Sequence, residues 1–285
     1  MNRFLSALVV ILLVLAGASR ASAQLLAAKD GPIVYGHHHV NTTNVDAQKK
    51  FFVDTLGGTV VKVGANQQEI VKFPNVLIFF RTTQAPTGGT RGTTVNHIGF
   101  SVPDLRPVVD KIKANGYRMI TRSEVPPTDE VKDDIAIRGN TRLAFALGPD
   151  DVKVEFVQVP AQTVPITLHH VHFFLPQNTE MRDWYAKVFG AKPREGANFP
   201  SADLPGVALN FTKSPDPVVG TQGRALDHIG FEVKNLEEFT KKLEGMGIKL
   251  ERPYTKVAAL NIAIAFIKDP WGTYIELTEG LDKVS

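Results

Sequence analysis

Two stretches of this chain are close copies of each other: VNHIGFSVPDL at residues 95–105 and LDHIGFEVKNL at residues 226–236. They share His-Ile-Gly-Phe, and the later Val and Leu follow at identical spacing. A copy of this length indicates that one structural unit occurs more than once in the chain. The fold class therefore depends on how far the repeat extends.

Two histidine-rich stretches repeat in the same order. YGHHHV at residues 35–40 and LHHVHFFL at residues 168–175 each precede a helical pattern that stops at a glycine. Alignment of those glycines, Gly57 and Gly190, superimposes two pairs of histidines. The aligned pairs are His37 with His170 and His39 with His172.

Each half of the chain divides once more, because short β-rich runs begin near residues 35, 95, 168 and 226. A polar turn, a helix and further strands follow each run. In the fourth helix, Asn235 and Glu238 have the spacing of a capping box. The pattern predicts four β-α-β-β-β units, and the boundary between the halves is predicted in QVPAQTVPI at residues 158–166, a Pro-containing polar joint.

The first residues have the pattern of a secretory signal peptide. Asn2 and Arg3 precede an apolar run at residues 4–17, and Ala21-Ser22-Ala23 fits a small-residue cleavage site. An uncleaved membrane anchor is the alternative, but the run is short for a bilayer span of about 20 apolar residues. We predict a signal peptide at residues 1–23, a periplasmic or secreted location, and domains at residues 34–160 and 166–281.

Composition limits the possible partners. The chain has no cysteine, so its stability depends on packing and not on disulfides. Of 32 basic and 29 acidic residues, signal cleavage removes Arg3 and Arg20 and no acidic residue. A nearly neutral mature chain argues against nucleic acid, which needs a concentrated positive surface. We expect a small-molecule partner and, after cleavage, no membrane; the oligomeric state stays open.

All eight histidines lie in the opening strand of a unit, which indicates a site. Residues i and i+2 of a strand point to the same face. The pairs predicted to face inward are His37 with His39 and His170 with His172. His38 and His169 are predicted to point the other way, into packing contacts.

This arrangement resembles the vicinal oxygen chelate superfamily, which includes glyoxalase I, type I extradiol dioxygenases and the fosfomycin- and bleomycin-resistance proteins. The motif DPWGTYIEL at residues 269–277 matches the family's final turn and strand, and GPDDVKVEF at residues 148–156 keeps its glutamate. The resemblance covers the whole predicted mature chain. It implies an α+β fold of tandem domains, each with two units that curl into a cup-shaped mixed-sheet barrel.

The resemblance also implies one divalent metal per domain, held by two histidines and a carboxylate. Such a donor set suits Fe, Mn, Zn or Ni and leaves positions open for a substrate. The ligands it implies are His37, His97 and Glu155 in the first domain and His170, His228 and Glu276 in the second. His39 and His172 are predicted to be catalytic, as a fourth ligand, an orienting group or a proton-transfer group. A histidine-lined cup without metal is the alternative.

The implied function is an exported metal-dependent enzyme that chelates a small substrate through vicinal oxygens. Dioxygenase-like chemistry ranks ahead of glyoxalase-type lyase or isomerase chemistry, because NVLIFFRTT and GVALNFT lack the further carboxylate that glyoxalase I carries on the fourth strand. A periplasmic binding or sequestration protein of the bleomycin-resistance type, or a simple metal-binding protein, remains possible. Residues 123–140, SEVPPTDEVKDDIAIRGN, are predicted to form a surface loop or a lid over the cup.

Overall fold

The computed structural model describes residues 31–195, 198–214 and 216–283, which form the predicted α+β fold. The predicted signal peptide lies outside the described residues. The first unit contains β1 (Ile33–Asn41), α1 (Val45–Lys49) with a π-helical turn (Lys50–Thr55), β2 (Thr59–Val63), β3 (Gln68–Phe73) and β4 (Val76–Arg81). The second contains β5 (Val95–Val102), α2 (Leu105–Ala114), β6 (Arg118–Met119), α3 (Thr121–Glu124), β7 (Glu130–Lys132), β8 (Ile135–Arg138), β9 (Thr141–Leu147), a 3₁₀ turn (Pro149–Asp151) and β10 (Lys153–Gln158).

The second half repeats this order with shorter connections. The third unit contains β11 (Thr167–Leu175), α4 (Asn178–Phe189), β12 (Lys192–Glu195), β13 (Pro200–Leu204) and β14 (Val207–Lys213). The fourth contains β15 (Leu226–Val233), α5 (Leu236–Gly245), β16 (Leu250–Val257), β17 (Ile262–Lys268), β18 (Tyr274–Glu279) and a 3₁₀ turn (Leu281–Lys283). Within the described residues, no helix is long and apolar enough to cross a bilayer.

The strands form two sheets, and each sheet combines one unit from each half of the chain. The first sheet has the order β16-β17-β18-β15-β1-β4-β3-β2, so it joins the fourth unit to the first. The second has the order β12-β13-β14-β11-β5-β10-β9-β8-β7, with β6 beside β9, so it joins the third unit to the second. In both sheets the junction is an antiparallel pair of opening strands, β1 with β15 and β11 with β5.

The α+β class with tandem domains is confirmed, but the partners within each sheet differ from those expected. The sequence predicts that the first two units share one cup and the last two share the other. All four opening strands carry the same inward and outward pattern, so the pattern itself does not specify which of them pair. The tertiary structure selects the first unit with the fourth and the second with the third.

A β-bulge in β1 sets the direction of its histidines. The pairing of β1 with β15 shifts register between Tyr35 and His37, which leaves Gly36 as an extra residue. Tyr35 therefore packs in the apolar core, whereas His37 and His39 face the opposite side of the sheet. Strand β11 has the corresponding shift at His169.

The two halves share one hydrophobic core. The main cluster of buried apolar side chains draws on all four units and includes Phe52, Phe100, Phe173 and Phe231. Each of these rings is completely buried, and full burial of such a side chain contributes roughly 1.5–3 kcal/mol. The main core is therefore continuous across the two halves.

The start of α5 differs from its predicted capping box. Asn235 has φ 60°, and its side chain makes no capping hydrogen bond. The backbone N–H of Leu236 instead donates to Glu279 Oε2 at 3.0 Å. Asn235 stands at the N-cap position, as predicted, but a carboxylate from β18 makes the capping contact, so the predicted capping box of Asn235 and Glu238 was wrong.

Asp269 links α4 to the final turn of the chain. Its Oδ1 accepts hydrogen bonds from the backbone N–H groups of Trp271, at 3.0 Å, and Thr273, at 2.8 Å. Its Oδ2 accepts one from the Tyr185 hydroxyl at 3.1 Å. Burial raises the pKa of Asp269 to about 6, although these hydrogen bonds oppose the rise. The carboxyl group thus connects the third unit to the fourth.

We expect Asp269→Ala to lower the free energy of unfolding by about 2–3 kcal/mol, because three donors lose their acceptor inside the protein. Asp269→Asn keeps an oxygen for the two backbone donors and an amide for the Tyr185 hydroxyl, so its expected cost is below about 1 kcal/mol. Urea unfolding of both variants measures the difference. Equal losses in the two variants would show that these hydrogen bonds do not stabilise the turn.

Candidate metal centres

Two groups of three histidines and one glutamate form in the described part of the chain. We call the first cluster 1 and the second cluster 2. Cluster 1 contains His37, His39, His228 and Glu276, and cluster 2 contains His97, Glu155, His170 and His172. Within each cluster, one candidate ligand atom from every residue lies within 4.8 Å of the others.

Every predicted site residue lies in a cluster, but the predicted grouping is corrected. His37 joins His228 and Glu276 instead of His97 and Glu155. His170 correspondingly joins the ligands expected in the first domain. The exchange follows from the sheet order, because β1 lies beside β15 and β11 lies beside β5.

In cluster 1, one carboxylate oxygen meets two imidazoles. Glu276 Oε2 lies 3.0 Å from His37 Nε2 and 2.9 Å from His228 Nε2. On its other side, His228 Nδ1 lies 2.7 Å from Asp227 Oδ1. Burial would lower the pKa of His228, but the hydrogen bonds to Asp227 and Glu276 raise it overall. Burial opposes ionisation of Glu276, yet the two histidines hold the pKa of Glu276 well below its ordinary value.

Cluster 2 repeats this contact with a different supporting residue. Glu155 Oε2 lies 2.8 Å from His97 Nε2 and 3.1 Å from His170 Nε2. His97 Nδ1 lies 2.9 Å from Asn96 Oδ1, where cluster 1 has an aspartate. Burial, followed by the nearby Lys153 ammonium, lowers the pKa of His97 to about 3. His97 is therefore a neutral imidazole.

The donor chemistry fits a bound cation. Lys153 Nζ donates to Asn96 Oδ1 at 2.6 Å, which identifies that atom as an acceptor, so the proton of neutral His97 lies on Nδ1. His97 Nε2 then presents a lone pair to Glu155 Oε2 at 2.8 Å. Two acceptors in contact repel each other, whereas a divalent ion bound by both removes the repulsion. In cluster 1, both nitrogens of His228 face carboxylates, and a metal ion is able to replace one of its protons.

The third histidine of each cluster, His39 in cluster 1 and His172 in cluster 2, does not contact the glutamate oxygen. His172 Nε2 lies 2.8 Å from Thr212 Oγ1, and its buried Nδ1 has no hydrogen-bond partner among the described residues. His39 is half-buried, and its ring stacks on Phe79 with centroids 5.8 Å apart. Burial, followed by neighbouring histidines, holds the pKa of His39 and His172 well below the ordinary value. Both are neutral imidazoles beside a candidate metal centre.

Of the two histidines predicted to face away from the clusters, His38 does so and His169 does not. His38 is buried against Tyr35, with Nδ1 2.8 Å from the hydroxyl oxygen, and burial lowers its pKa to about 3. The prediction for His169 was wrong, because its Nδ1 lies 2.8 Å from His170 Nδ1 and its side chain lines a cavity. His169 occupies the bulge in β11, where alternation of side chains is interrupted.

The glycine of the repeated His-Ile-Gly-Phe motif lies directly under a ligand ring. The imidazole of His37 covers Gly230, and that of His170 covers Gly99. A Cβ atom at either glycine would overlap the ring. The motif thus provides one candidate ligand and the space for another, which comes from the other half of the chain.

Cluster 2 opens into a cavity of about 710 Å³. This volume lies within the roughly 300–1,000 Å³ typical of small-molecule sites. Aromatic and polar side chains form one part of the wall: Phe145, Phe174, Asn210 and Thr212 from the sheet and Phe199 from the turn before β13. Residues 123–140, predicted as a loop or a lid, supply another part through Val125, Pro126 and Arg138.

Comparison with known families agrees with the fold and the clusters. The model of the Glyoxalase/Bleomycin resistance protein/Dioxygenase superfamily matches residues 34–156 and 167–277. The chain therefore belongs to this superfamily, as two tandem domains. The predicted resemblance is confirmed.

Several individual proteins are similar to this chain. A protein of Arabidopsis thaliana named Glyoxylase I 4 is 29% identical over 120 residues, which cover 39% of this chain and 69% of that protein. The crystal structure of glyoxalase I from Zea mays has a TM-score of 0.67 at 16% identity and covers 88% of this chain and 94% of its own. A putative dioxygenase from Bacillus subtilis has a TM-score of 0.62 at 12% identity, over 86% and 84% of the two chains. At these identities the structural likenesses concern the fold alone.

Sequence reasoning missed the residues that support the ligands. Asp227 and Asn96 each directly precede a motif histidine, so the repeat itself contained this signal. Lys153 likewise stands two residues before Glu155. Thr212 lies on β14, and only its pairing with β11 brings it to His172.

Proposed function

We propose that the protein is a metal-dependent lyase or isomerase that acts, at cluster 2, on a small substrate with two adjacent oxygen atoms. The observation that carries this proposal is the cavity of about 710 Å³ whose wall contains all four residues of cluster 2. The glyoxylase name of the Arabidopsis thaliana relative supports the same reaction class.

The residues proposed to hold the metal are the six that contact one another most closely. They are His37, His228 and Glu276 in cluster 1 and His97, His170 and Glu155 in cluster 2. A divalent ion bound there would supply a Lewis acid for two neighbouring substrate oxygens. Asp227 and Asn96 accept the Nδ1 protons of their histidines and so turn the Nε2 lone pairs toward the carboxylates.

His172 is placed to move a proton. When its Nε2–H donates to Thr212 Oγ1, the lone pair of its Nδ1 is left without a partner. In the isomerisation of an α-hydroxycarbonyl compound, His172 would take the proton from the carbon that carries the hydroxyl and return it to the former carbonyl carbon. The hydroxyl proton passes to the former carbonyl oxygen, so no oxidant or reductant is consumed.

We expect the untagged protein, purified without chelators and supplied with excess divalent ion, to contain about two metal equivalents, one for each cluster. It should convert α-hydroxycarbonyl compounds in the absence of oxygen. His172→Gln should lower kcat by about 10²–10⁴-fold, because the proton-transfer group is lost, while the metal content stays unchanged. Mass spectrometry of the metals and an anaerobic product assay measure both effects. Unchanged kcat would remove His172 from the mechanism, and less than about a tenth of an equivalent that added metal does not restore would overturn the metalloenzyme proposal.

Dioxygenase chemistry is the second candidate, and the ligand contacts favour it. In each cluster a carboxylate oxygen contacts two imidazoles, which is the donor set of many iron enzymes that use oxygen. Oxygen uptake with catechols distinguishes the two reactions. Turnover that requires oxygen would replace the lyase proposal, and tight ligand binding without any product would indicate a sequestration protein.

We also propose that the protein is exported, on the basis of the signal-like sequence at residues 1–23. The mature protein should begin at Gln24, which N-terminal sequencing of the periplasmic or secreted fraction measures. An intact Met1 terminus in the cytoplasmic fraction would contradict export.

A further inference from the structure

The two clusters have the same four donors, but their surroundings carry opposite charge. Three aligned positions differ: the residue before the motif histidine, the residue two before the glutamate, and the residue two after the last histidine of the opening strand. Cluster 1 has Asp227, Tyr274 and Asn41 at these positions, and cluster 2 has Asn96, Lys153 and Phe174.

In cluster 1 one of these residues, Asp227, is a buried carboxylate. Asp227 is 2% exposed, and its Oδ1 lies 2.7 Å from His228 Nδ1. Its Oδ2 accepts hydrogen bonds from Asn41 Nδ2 at 2.9 Å and from the Gly223 N–H at 2.7 Å. A negative charge is therefore fixed directly behind a candidate metal ligand.

In cluster 2 the same positions support a buried ammonium. Lys153 is 2% exposed, and its Nζ donates to Asn96 Oδ1, the atom that also contacts His97. The ammonium lies 5.0 Å from the ring centroid of Phe145 and 5.6 Å from that of Phe174. Phe174 occupies the position that aligns with Asn41. Its ring faces the cation in cluster 2, whereas Asn41 donates a hydrogen bond to the aspartate in cluster 1.

Lys153 Nζ also pairs with Glu124, which offsets part of its charge; the second oxygen of Glu124 lies 3.8 Å from Arg91 Nη1, but Arg91 is 48% exposed, so water screens its charge. The ammonium nevertheless contacts Asn96, the residue behind His97, so cluster 2 has a cation where cluster 1 has a carboxylate. Near cluster 1, Lys268 lies over the Tyr274 ring at 5.8 Å, and it is 38% exposed. Water screens an exposed charge far more than a buried one, so the buried Asp227 dominates there.

We propose that the clusters bind the same divalent ion with unequal affinity, tightly in cluster 1 and weakly in cluster 2, and that Lys153 together with Asn96 causes the difference. This inference rests on the proposed metal sites. A carboxylate behind a histidine ligand attracts the ion, whereas a buried ammonium repels it. Changes in such supporting residues commonly alter metal affinity by about 10–100-fold. Cluster 1 then stays loaded when metal is scarce, and occupancy of cluster 2 follows the metal supply.

Stepwise titration of the metal-free protein with Zn(II) and with Mn(II) against a coloured chelator tests this inference. Work at about pH 8 removes most proton competition for the imidazoles. Glu155→Ala and Glu276→Ala each disable one cluster and so assign the two steps. We expect the step lost in Glu276→Ala to be about 10–100-fold tighter than the step lost in Glu155→Ala.

Two further variants test the cause. In the Glu276→Ala background, Lys153→Met should tighten binding at cluster 2 by about tenfold or more, because the ammonium is lost and the side-chain length is kept. In the Glu155→Ala background, Asp227→Asn should weaken binding at cluster 1 by a similar factor. Each single variant, made in the wild-type background, retains the other cluster, whose unchanged affinity shows that the protein is folded.

The outcomes separate this inference from the proposed function. Two equal affinities, a tighter cluster 2, or no gain from Lys153→Met would overturn the inference while leaving both metal sites in place. No binding at either cluster would overturn the proposed metal sites and the inference together.

Discussion

Gly230→Ala is expected to remove the metal ion of cluster 1 and to leave that of cluster 2 in place. The His37 ring lies directly on Gly230, and an added methyl group would overlap its Cε1, Nδ1 and Nε2 atoms. The His37 ring must therefore leave its position beside Glu276 Oε2, where it would bind the ion. In protein supplied with excess divalent ion, the metal content should fall from about two equivalents to about one, one for each intact cluster.

Gly99→Ala should remove the metal ion of cluster 2 and leave that of cluster 1 in place, because the His170 ring lies on Gly99 in the same way. Gly245→Ala is the matched control, since no atom lies within 4 Å of a Cβ atom built at that glycine. Mass spectrometry of the bound metals measures all three variants, with thermal unfolding as a check on folding. Full metal content in Gly230→Ala would show that His37 does not hold the ion.

The second large effect concerns which ligands act together. His37→Ala combined with Glu276→Ala is expected to cost one metal equivalent, no more than Glu276→Ala does by itself, because both residues belong to cluster 1. His37→Ala combined with Glu155→Ala should cost both equivalents, because these residues lie in different clusters. Removal of ligands from one site is not additive, whereas removal from separate sites is.

The same measurement discriminates between the two possible arrangements of the repeat. If each half built its own site, His37 and Glu155 would share an ion, and their combination would cost only one equivalent. His38→Ala is a suitable control, because His38 is buried against Tyr35 on the other face of β1 and belongs to neither cluster. Loss of both equivalents in the His37 and Glu276 combination would contradict the sheet order described here.

Much of this protein was predictable from local patterns in the chain. The repeated His-Ile-Gly-Phe motif indicated tandem domains, and two-residue periodicity correctly placed His37 and His39 on one face. The same spacing placed His170 with His172, whereas the ligand roles of the six proposed residues were implied by the resemblance to the superfamily. The exception was His169, where a bulge interrupts the alternation.

The sequence by itself determined the four units, because these depend on spacing along single strands and helices, and its resemblance to the superfamily implied the fold class and the residues that form the clusters. The tertiary structure decided which units pair, and therefore that His37 belongs with Glu276 and His170 with Glu155. It also decided that Lys153 contacts Asn96 and that Thr212 contacts His172. Four opening strands with nearly the same pattern are equivalent partners by sequence, and only packing of the whole chain around one core distinguishes them.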